Sequence, residues 1–440
     1  MQAVLLSGGS GKRLWPLSNE IRSKQFLELF DDGNGGKECM LKRMYRELSD
    51  ALENVSVTVA TDKNQISATS RHLGNNVSIC AEPCRRDTFP AISLISYYLR
   101  DVKKLGNDET VVICPVDPYT DDTYFKAISE LADLADKGES ALCLLGIEPS
   151  YPSEKYGYII PKEYASVASV TGFKEKPGAA EAERLLSKGA LWNAGVFACK
   201  LGWLAEKAKG TGYENYESLY ENYADVKPVS FDIAVCEKEK NITVMRYAGE
   251  WRDVGTWNTI TEVMEENAMG NVTFGEDCEN THAINDLDIP LLCLGLRDVV
   301  VAAGPDGILV SDKHRSSYMK PYVEKISMQP RYAEKSWGEY RVVDQTTDSL
   351  TIRINLKAGN KMKYHCHTYR DEVWTIISGE GIVLTDGKAC KVSAGDVVEI
   401  PKGVKHSLIA VSDINAVEVQ IGSDIQASDK EVFDMPDINM

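Results

Sequence analysis

The chain lacks several things, and each absence narrows what it can be. No apolar run approaches the roughly 20 residues that a membrane-spanning helix needs, so no membrane association is expected. The opening MQAVLLSGG has no basic stretch followed by a long apolar core, and no signal peptide is read there. Basic residues are outnumbered, 49 Lys and Arg against 66 Asp and Glu, for a net charge of −17. A general nucleic-acid binder carries a basic face, so nucleic acid is not expected as a partner. An acidic surface mainly promotes solubility, and a polyphosphate ligand must then meet a local cationic pocket. Eleven cysteines form no disulfide framework, being odd in number and irregular in spacing. Without an export signal they read as reduced thiols, and a cytoplasmic location is expected. There is no internal repeat and no low-complexity tract. Histidine is scarce, six in all, yet three gather late in the chain at His365, His367 and His406.

What is present suits two or three domains, by length, with ample apolar content for real cores. From residue 1 to about 265, short β-rich runs (Val55–Ala60, Val111–Cys114, Ala141–Leu145, Ile242–Met245) alternate with helix-like spacing at Cys39–Leu52, Ala91–Leu105, Phe125–Lys137 and Ala179–Lys188. Such alternation predicts an α/β domain, a mostly parallel sheet with helices on both faces. From about 266 to 328 the segments become short, β-rich and punctuated by Gly, Asn and Asp, and no helix of any length is predicted. A linker is placed near Met328–Ala333. From 329 to 440 the chain reads as all-β, with turns at Lys357–Asn360, Ser378–Gly381 and Thr385–Lys388, which suggests a small barrel.

The chemistry begins at once. The apolar run Ala3–Leu6 predicts a buried first strand, followed by Ser7-Gly8-Gly9-Ser10-Gly11 and the cations Lys12, Arg13 and Lys24. Glycines directly after a strand let backbone N–H groups converge on an anion, because no Cβ blocks the approach. Neither usual phosphate motif fits. Arg13 stands where a Walker loop needs Ser or Thr, and Leu14 where the dinucleotide fingerprint needs its third glycine. Taken alone, the glycines fit equally a plain strand–loop turn. Asp117 ends a buried run and Asp253 follows Trp251-Arg252; either is a good place for a magnesium ligand, since that ion is usually held by only one or two carboxylates. An isolated aspartate at a strand end is more often a turn or cap residue.

The whole string Gly8-Gly9-x-Gly11-x-Arg13-Leu14-Trp15-Pro16-Leu17-Ser18, then Lys24-Gln25-Phe26-Leu27, resembles the signature of sugar-1-phosphate nucleotidylyltransferases, in particular the mannose-1-phosphate guanylyltransferase branch. Ser23 stands where that branch usually has proline. The resemblance implies a Rossmann-like nucleotidyltransferase domain over 1–265 and a β-helical extension over 266–328. It implies Arg13 and Lys24 as catalytic cations, and Gly8, Gly9, Gly11, Glu82 and Arg86 as nucleotide-binding residues. It further implies Gly157, Glu175, Lys176 and Asn193 at the sugar phosphate, with Asp117 and Asp253 on Mg2+. Two departures are visible: Pro118 replaces the histidine that usually follows the first aspartate, and Asp87 replaces a more usual asparagine.

The late histidines form a second constellation. A strand sends alternate residues to one face, so His365 and His367 project together. With Glu372 and His406 they make a donor set suited to zinc, iron, nickel or manganese. Their spacing, between Gly359 and Gly379 and after Gly395 and Pro401, resembles both cupin motifs, with Ala410 in place of the terminal asparagine. Guanylyltransferases of the bifunctional kind carry such a barrel, similar to type II phosphomannose isomerase, and Trp337-Gly338 with Arg370–Trp374 resemble it. Val373 stands where that family has a second histidine, and no residue is identified as the base for isomerisation. The resemblances together imply a magnesium-dependent enzyme joining GTP and mannose 1-phosphate into GDP-mannose and pyrophosphate, with a metal cupin (Zn2+ or similar) as a candidate isomerase of mannose 6-phosphate and fructose 6-phosphate. Another NTP or sugar phosphate on the same fold, and a non-catalytic sugar-nucleotide sensor, stay open as alternatives. So does a homo-oligomer.

Overall fold

The computed structural model of the chain describes residues 1–9, 12–19, 21–74, 76–326, 330–426 and 429–436. Packing divides it into two units: Met1–Ser10 with Gln25–Glu265, and Gly11–Lys24 with Glu266–Met440. Among the described residues no helix is long and apolar enough to cross a membrane.

The first unit is built on a nine-stranded sheet. Gln2–Ser7 lies between Ser56–Asp62 and Thr110–Pro115, parallel to both, and Ser78–Glu82 adds to the outer side of Ser56–Asp62 in the same sense. The two central strands, Gln2–Ser7 and Thr110–Pro115, are apolar through their middles without alternation because both faces are covered. Ala3, Leu5, Val112 and Cys114 pack with Leu41, Met44 and Leu48 of the helix Met40–Ala51 and with the helix Asp122–Asp136. Val4, Val111 and Ile113 face the other way, against Ile92, Leu94 and Ile95 of the helix Thr88–Tyr97 and Leu201 and Leu204 of Leu201–Ala208.

The predicted strands and helices are present within a few residues of their expected ends, and the parallel arrangement holds on this side of the sheet. The remainder is mixed. Leu191–Lys200 runs antiparallel to Thr110–Pro115 and to Leu142–Ile147, and Val167–Lys174 is antiparallel to both its neighbours. The ten-residue strand Leu191–Lys200 can take this place because its register shifts between Asn193 and Phe197, and strand direction leaves no mark on a local apolar pattern.

In the second unit, Ala268–Met269, His282–Asn285 and Val299–Gly304 stack in parallel, as do Val272–Phe274 and Leu291–Cys293. These short parallel rungs make the β-helical extension. Two four-residue helices that the sequence does not predict, Lys313–Ser316 and Lys320–Val323, follow it. The first is capped by Asp312, whose side chain accepts from the Arg315 N–H, and the second carries proline in its first turn, where no intrahelical donor is needed. Each is too short to show a period in sequence. The linker expected near Met328–Ala333 falls partly outside the described residues.

The C-terminal barrel closes a six-stranded sheet on a five-stranded one. Its core is the inward row Ile352, Ile354, Leu356, Trp374, Ile376, Leu408, Ile414 and Ala416. The expected turns are in place, with Gly359, Gly379, Asp386 and Gly387 all at positive φ.

Candidate active site and candidate metal centre

In the first unit the parallel register brings four strand ends to one edge. Ser7 pairs with Thr61, Leu6 with Pro115, and Asp62 with Glu82. Ligands of open α/β sheets bind beyond such carboxyl ends. Gly8 and Gly9 emerge there, over a buried polar platform that local sequence does not reveal. Gln25 donates to the Ser7 carbonyl (3.1 Å) and to Gln65 Oε1 (3.2 Å). Thr61 donates to the same two acceptors at 3.1 Å each, and Gln65 reaches the Gly9 carbonyl at 3.3 Å. Gln25, Gln65, Thr61 and Ser7 are essentially inaccessible to solvent. The platform fixes the backbone of the loop from beneath and leaves Gly8 exposed. Gly11 lies outside the described residues. Arg13 and Lys24 fall in the segment that packs with the second unit and are treated with it below.

Glu82 closes the neighbouring strand and accepts from the Tyr223 hydroxyl at 2.7 Å. Burial raises its carboxyl to about 7, against the pull of Tyr223 and Arg85. The folded group is protonated more readily than the unfolded one, so its stabilising contribution is complete below about 4.5 and is lost as pH rises through about 7. Glu82→Gln keeps an acceptor for Tyr223 and removes the buried charge. It is expected to stabilise the fold by about 2 kcal/mol near pH 8 and hardly at all near pH 5, read from denaturant midpoints at the two values. Arg86 donates to the Ala224 carbonyl. Asp87 sits at φ +69° and caps the next helix, accepting from the Thr88 N–H at 2.7 Å. Asparagine and aspartate both tolerate positive φ and both cap, so the departure noted at Asp87 leaves this backbone role intact.

The two aspartates predicted on separate strings come together. Trp251–Asp253 pairs antiparallel with Pro118–Thr120, placing Asp253 opposite Pro118 and therefore beside Asp117. Both are half-buried. Pro118 can stand here because it opens its strand, where a missing donor does least harm. The short strand bearing Asp253 is held by an aromatic wall: Trp251 meets Tyr156 at 5.3 Å between ring centroids, and Tyr156 meets Trp192 at 4.9 Å. Such pairs contribute about 0.5–1.5 kcal/mol each beyond area burial. Burial, reinforced by the charge of Asp253, pushes the Tyr156 hydroxyl well above its ordinary pKa.

The sugar-side strings converge on the same edge. Gly195 packs against Pro115, and the Asn193 N–H donates to the Gly157 carbonyl at 2.9 Å. A Cβ on Gly157 would lie 2.6 Å from Glu175 Oε2, so a side chain there would push that carboxylate from its place. Glu175 pairs with Lys176, which is held at φ +41° just before Pro177. Asn193 Nδ2 donates to Asp232 Oδ1 at 2.7 Å. Asp232 is not among the residues the sequence singles out. It lies far along the chain from the other sugar-side strings, in an undistinguished FDIAVC segment, and only the fold delivers it. Burial, then the nearby charge of Glu175, raises its carboxyl to about 6.

The second unit holds the other constellation. His365, His367 and His406 are buried, with one ligand atom from each inside 4.8 Å of the others. His365 is the register partner of His406 on the adjacent antiparallel strand. Every ring has its Nδ1 against a backbone carbonyl: His365 on Lys363 (2.6 Å), His406 on Val404 (2.9 Å) and His367 on Asp429. A carbonyl only accepts, so each Nδ1 carries a proton and each Nε2 is the atom turned toward the cluster. Burial, with Lys430 and His406 adding to it, lowers the His365 pKa to about 2 and keeps that ring neutral.

Glu372 lies 3.1 Å from His367 Nε2 and 3.3 Å from His406 Nε2. Three imidazoles presenting Nε2 and one carboxylate are a donor set that fits a divalent transition metal. Arg370 and Trp374 belong to the barrel string that the sequence marks, without a role in the metal site. Here Arg370 donates to Glu372 Oε1 (3.0 Å) and approaches His367 Nε2 (3.1 Å), while Trp374 Nε1 reaches Glu372 Oε2 at 3.2 Å. Both orient the carboxylate, as outer partners of metal ligands do.

Comparison with known proteins agrees with both descriptions. Residues 2–269 match the family model for nucleotidyl transferases, and residues 352–421 that of the cupin domain. The xanthan biosynthesis protein XanB of Xanthomonas campestris pv. campestris is 29% identical, over 96% of this chain and 95% of its own. A mannose-1-phosphate guanylyltransferase of Klebsiella pneumoniae is 28% identical over 96% of each. Among solved structures, the protein described as mannose-1-phosphate geranyltransferase from Thermus thermophilus superposes with a TM-score of 0.61 at 28% identity, covering 74% of this chain and 99% of that one. The transferase match takes in the glycine strand end, both aspartates and all the sugar-side strings, and runs over more than half of the sequence: the chain belongs to the nucleotidyl transferase family.

Proposed function

We propose that this enzyme transfers the nucleotidyl group of GTP to α-D-mannose 1-phosphate, releasing pyrophosphate and forming GDP-mannose. The observation that carries the reading is the convergence, at one edge of one sheet, of Gly8 and Gly9, Glu82, the Asp117–Asp253 pair, and Gly157 with Glu175 and Asn193. Relatives named mannose-1-phosphate guanylyltransferase that match almost end to end support the choice of substrates. A sugar-phosphate oxygen attacks the α-phosphorus in line with the departing pyrophosphate, and no covalent enzyme intermediate is needed. Alignment falls to the glycine backbone on one side and to Glu175, Lys176 and Asn193 on the other. Arg13 and Lys24 neutralise charge that builds on the phosphates. Asp117 and Asp253 would hold Mg2+, which supplies further neutralisation when bound. Glu82 and Arg86 are assigned to the nucleotide. The eleven free thiols suit a reducing compartment and support a cytoplasmic location.

For the barrel, the three Nε2 atoms and Glu372 support binding of Zn2+ or a similar ion by His365, His367, Glu372 and His406. The transferase reading is tested with a panel of NTPs against several sugar 1-phosphates and Mg2+, read as pyrophosphate release. GTP with mannose 1-phosphate is expected to be the best pair. A clear preference for another base or sugar would reassign the substrates on the same fold, and no release from any pair would leave the sensor reading.

A further inference from the structure

Among the described residues, the segment that carries Arg13 and Lys24 shows the 3-10 turns Lys12–Leu14 and Lys24–Phe26 and a few local hydrogen bonds. Its partners in the second unit are unusually specific. Lys12–Leu14 lies against the helix Lys320–Val323. Trp15 and Leu17 pack on the hairpin turn between Val299–Gly304 and Gly307–Asp312. A Cβ on Gly307 would meet Trp15 at 2.5 Å, and one on Gly304 would meet Leu17 at 2.8 Å. Asn19 Oδ1 accepts from the Ile21 and Arg22 N–H groups (2.9 and 2.8 Å), while its Nδ2 donates to Asp306 Oδ2 (2.8 Å) and the Tyr332 carbonyl (3.2 Å). Arg22 pairs with Asp286 at 3.1 Å, approaches Glu334 at 3.9 Å, and lies 4.9 Å over the Tyr332 ring. These partners are themselves tied down. Arg341 donates to the Asp286 carbonyl (3.0 Å), the Arg331 N–H to Asp306 (2.6 Å), and Tyr332 to Glu339 (2.7 Å). Burial opposes the Arg22 charge, and Asp286, Tyr332 and Glu334 together outweigh it.

We propose that the β-helical extension and the first hairpin of the barrel form a clamp on Asn19 and Arg22, and that Arg22 is a positioning residue for the phosphate-handling cations Arg13 and Lys24. The inference rests on the transferase reading above. It gives the C-terminal unit a part in nucleotidyl transfer that is separate from whatever its histidines bind. Asp286 and Tyr332 are each tied by a hydrogen bond to the strand that carries Glu339 and Arg341, so the groups that Arg22 meets are themselves held. Loss of the clamp leaves Arg13 and Lys24 present but loosens the segment that carries them, which costs alignment more than substrate contact.

The test uses the full chain. Arg22→Ala is expected to lower kcat about 10- to 100-fold with a smaller change in KM for GTP in a chain that still folds, and Arg22→Lys to recover part of the loss. Amide exchange over residues 12–24 should quicken in Arg22→Ala while the barrel strands stay protected. Should Arg22→Ala fail to fold, Asp286→Asn removes the charge without changing shape and carries the same expectations. Wild-type kinetics in a folded variant overturn the proposal, whether or not exchange changes. If the unaltered protein releases no pyrophosphate at all, the transferase reading fails instead, and unchanged exchange over 12–24 would then overturn the clamp by itself.

Discussion

Asp253→Ala is expected to abolish most pyrophosphate release, a loss on the order of 10²–10³ or more in rate, with the fold intact. The strand that bears this residue is held by its pairing with Pro118–Thr120 and by the packing of Trp251 on Tyr156, neither of which uses the carboxylate. What the substitution removes is half of the site that would hold Mg2+ against the phosphates. An ion bound by one or two protein carboxylates has no spare ligand to fall back on. Lys24→Ala acts on the same step from the other side, by deleting a cation, and a loss of similar order is expected. Steady-state pyrophosphate release checks both, with thermal unfolding as the control for folding. Near-normal turnover in either variant would remove the mechanism.

The second large effect belongs to the barrel. His367→Ala is expected to weaken transition-metal binding by at least about 100-fold, because loss of an outer partner alone commonly costs 10- to 100-fold. His367 is also the ring on which Glu372 and Arg370 converge, so its removal disorganises the carboxylate as well. Metal analysis after dialysis against Zn2+ should find about one ion per unaltered chain and almost none in the variant. Pyrophosphate release should stay within about twofold of the unaltered protein, since the transferase site draws no ligand from this cluster. Stoichiometric zinc in His367→Ala would mean that the ion sits elsewhere. Incubation of the same two proteins with mannose 6-phosphate then decides isomerisation: conversion to fructose 6-phosphate only by the metal-bearing chain would make the barrel an isomerase.

How much of this is legible in the sequence depends on whether the information is local. The run Val111–Cys114 announces a strand buried on both faces, and it is one. The spacing of His365, His367, Glu372 and His406 announces a cluster of donor side chains, because a barrel strand and its neighbour convert that spacing directly into proximity. Asp117 and Asp253 are each legible as strand-end acids, but their adjacency comes from a three-residue ladder between distant parts of the chain. Gln65 and Asp232 carry no local signal: one is an ordinary polar residue at the start of a helix, the other part of a short helical turn. The antiparallel course of Leu191–Lys200 escapes a sequence reading because direction is set by which neighbour a strand finds. The membership of Gly11–Lys24 in the second unit is hidden by the motif itself, which draws every residue toward phosphate chemistry when Asn19 and Arg22 serve packing.

The mechanism requires that Asp117 and Asp253 grip one ion at the triphosphate. Crystals of the full chain soaked with Mn2+ and GTP would locate that ion by its anomalous scattering. The expected result is a single peak about 2.1 Å from a carboxylate oxygen of each aspartate, with the GTP phosphates against it and Gly8 and Gly9 beyond. A peak that neither aspartate touches, with GTP bound elsewhere on the molecule, would contradict it.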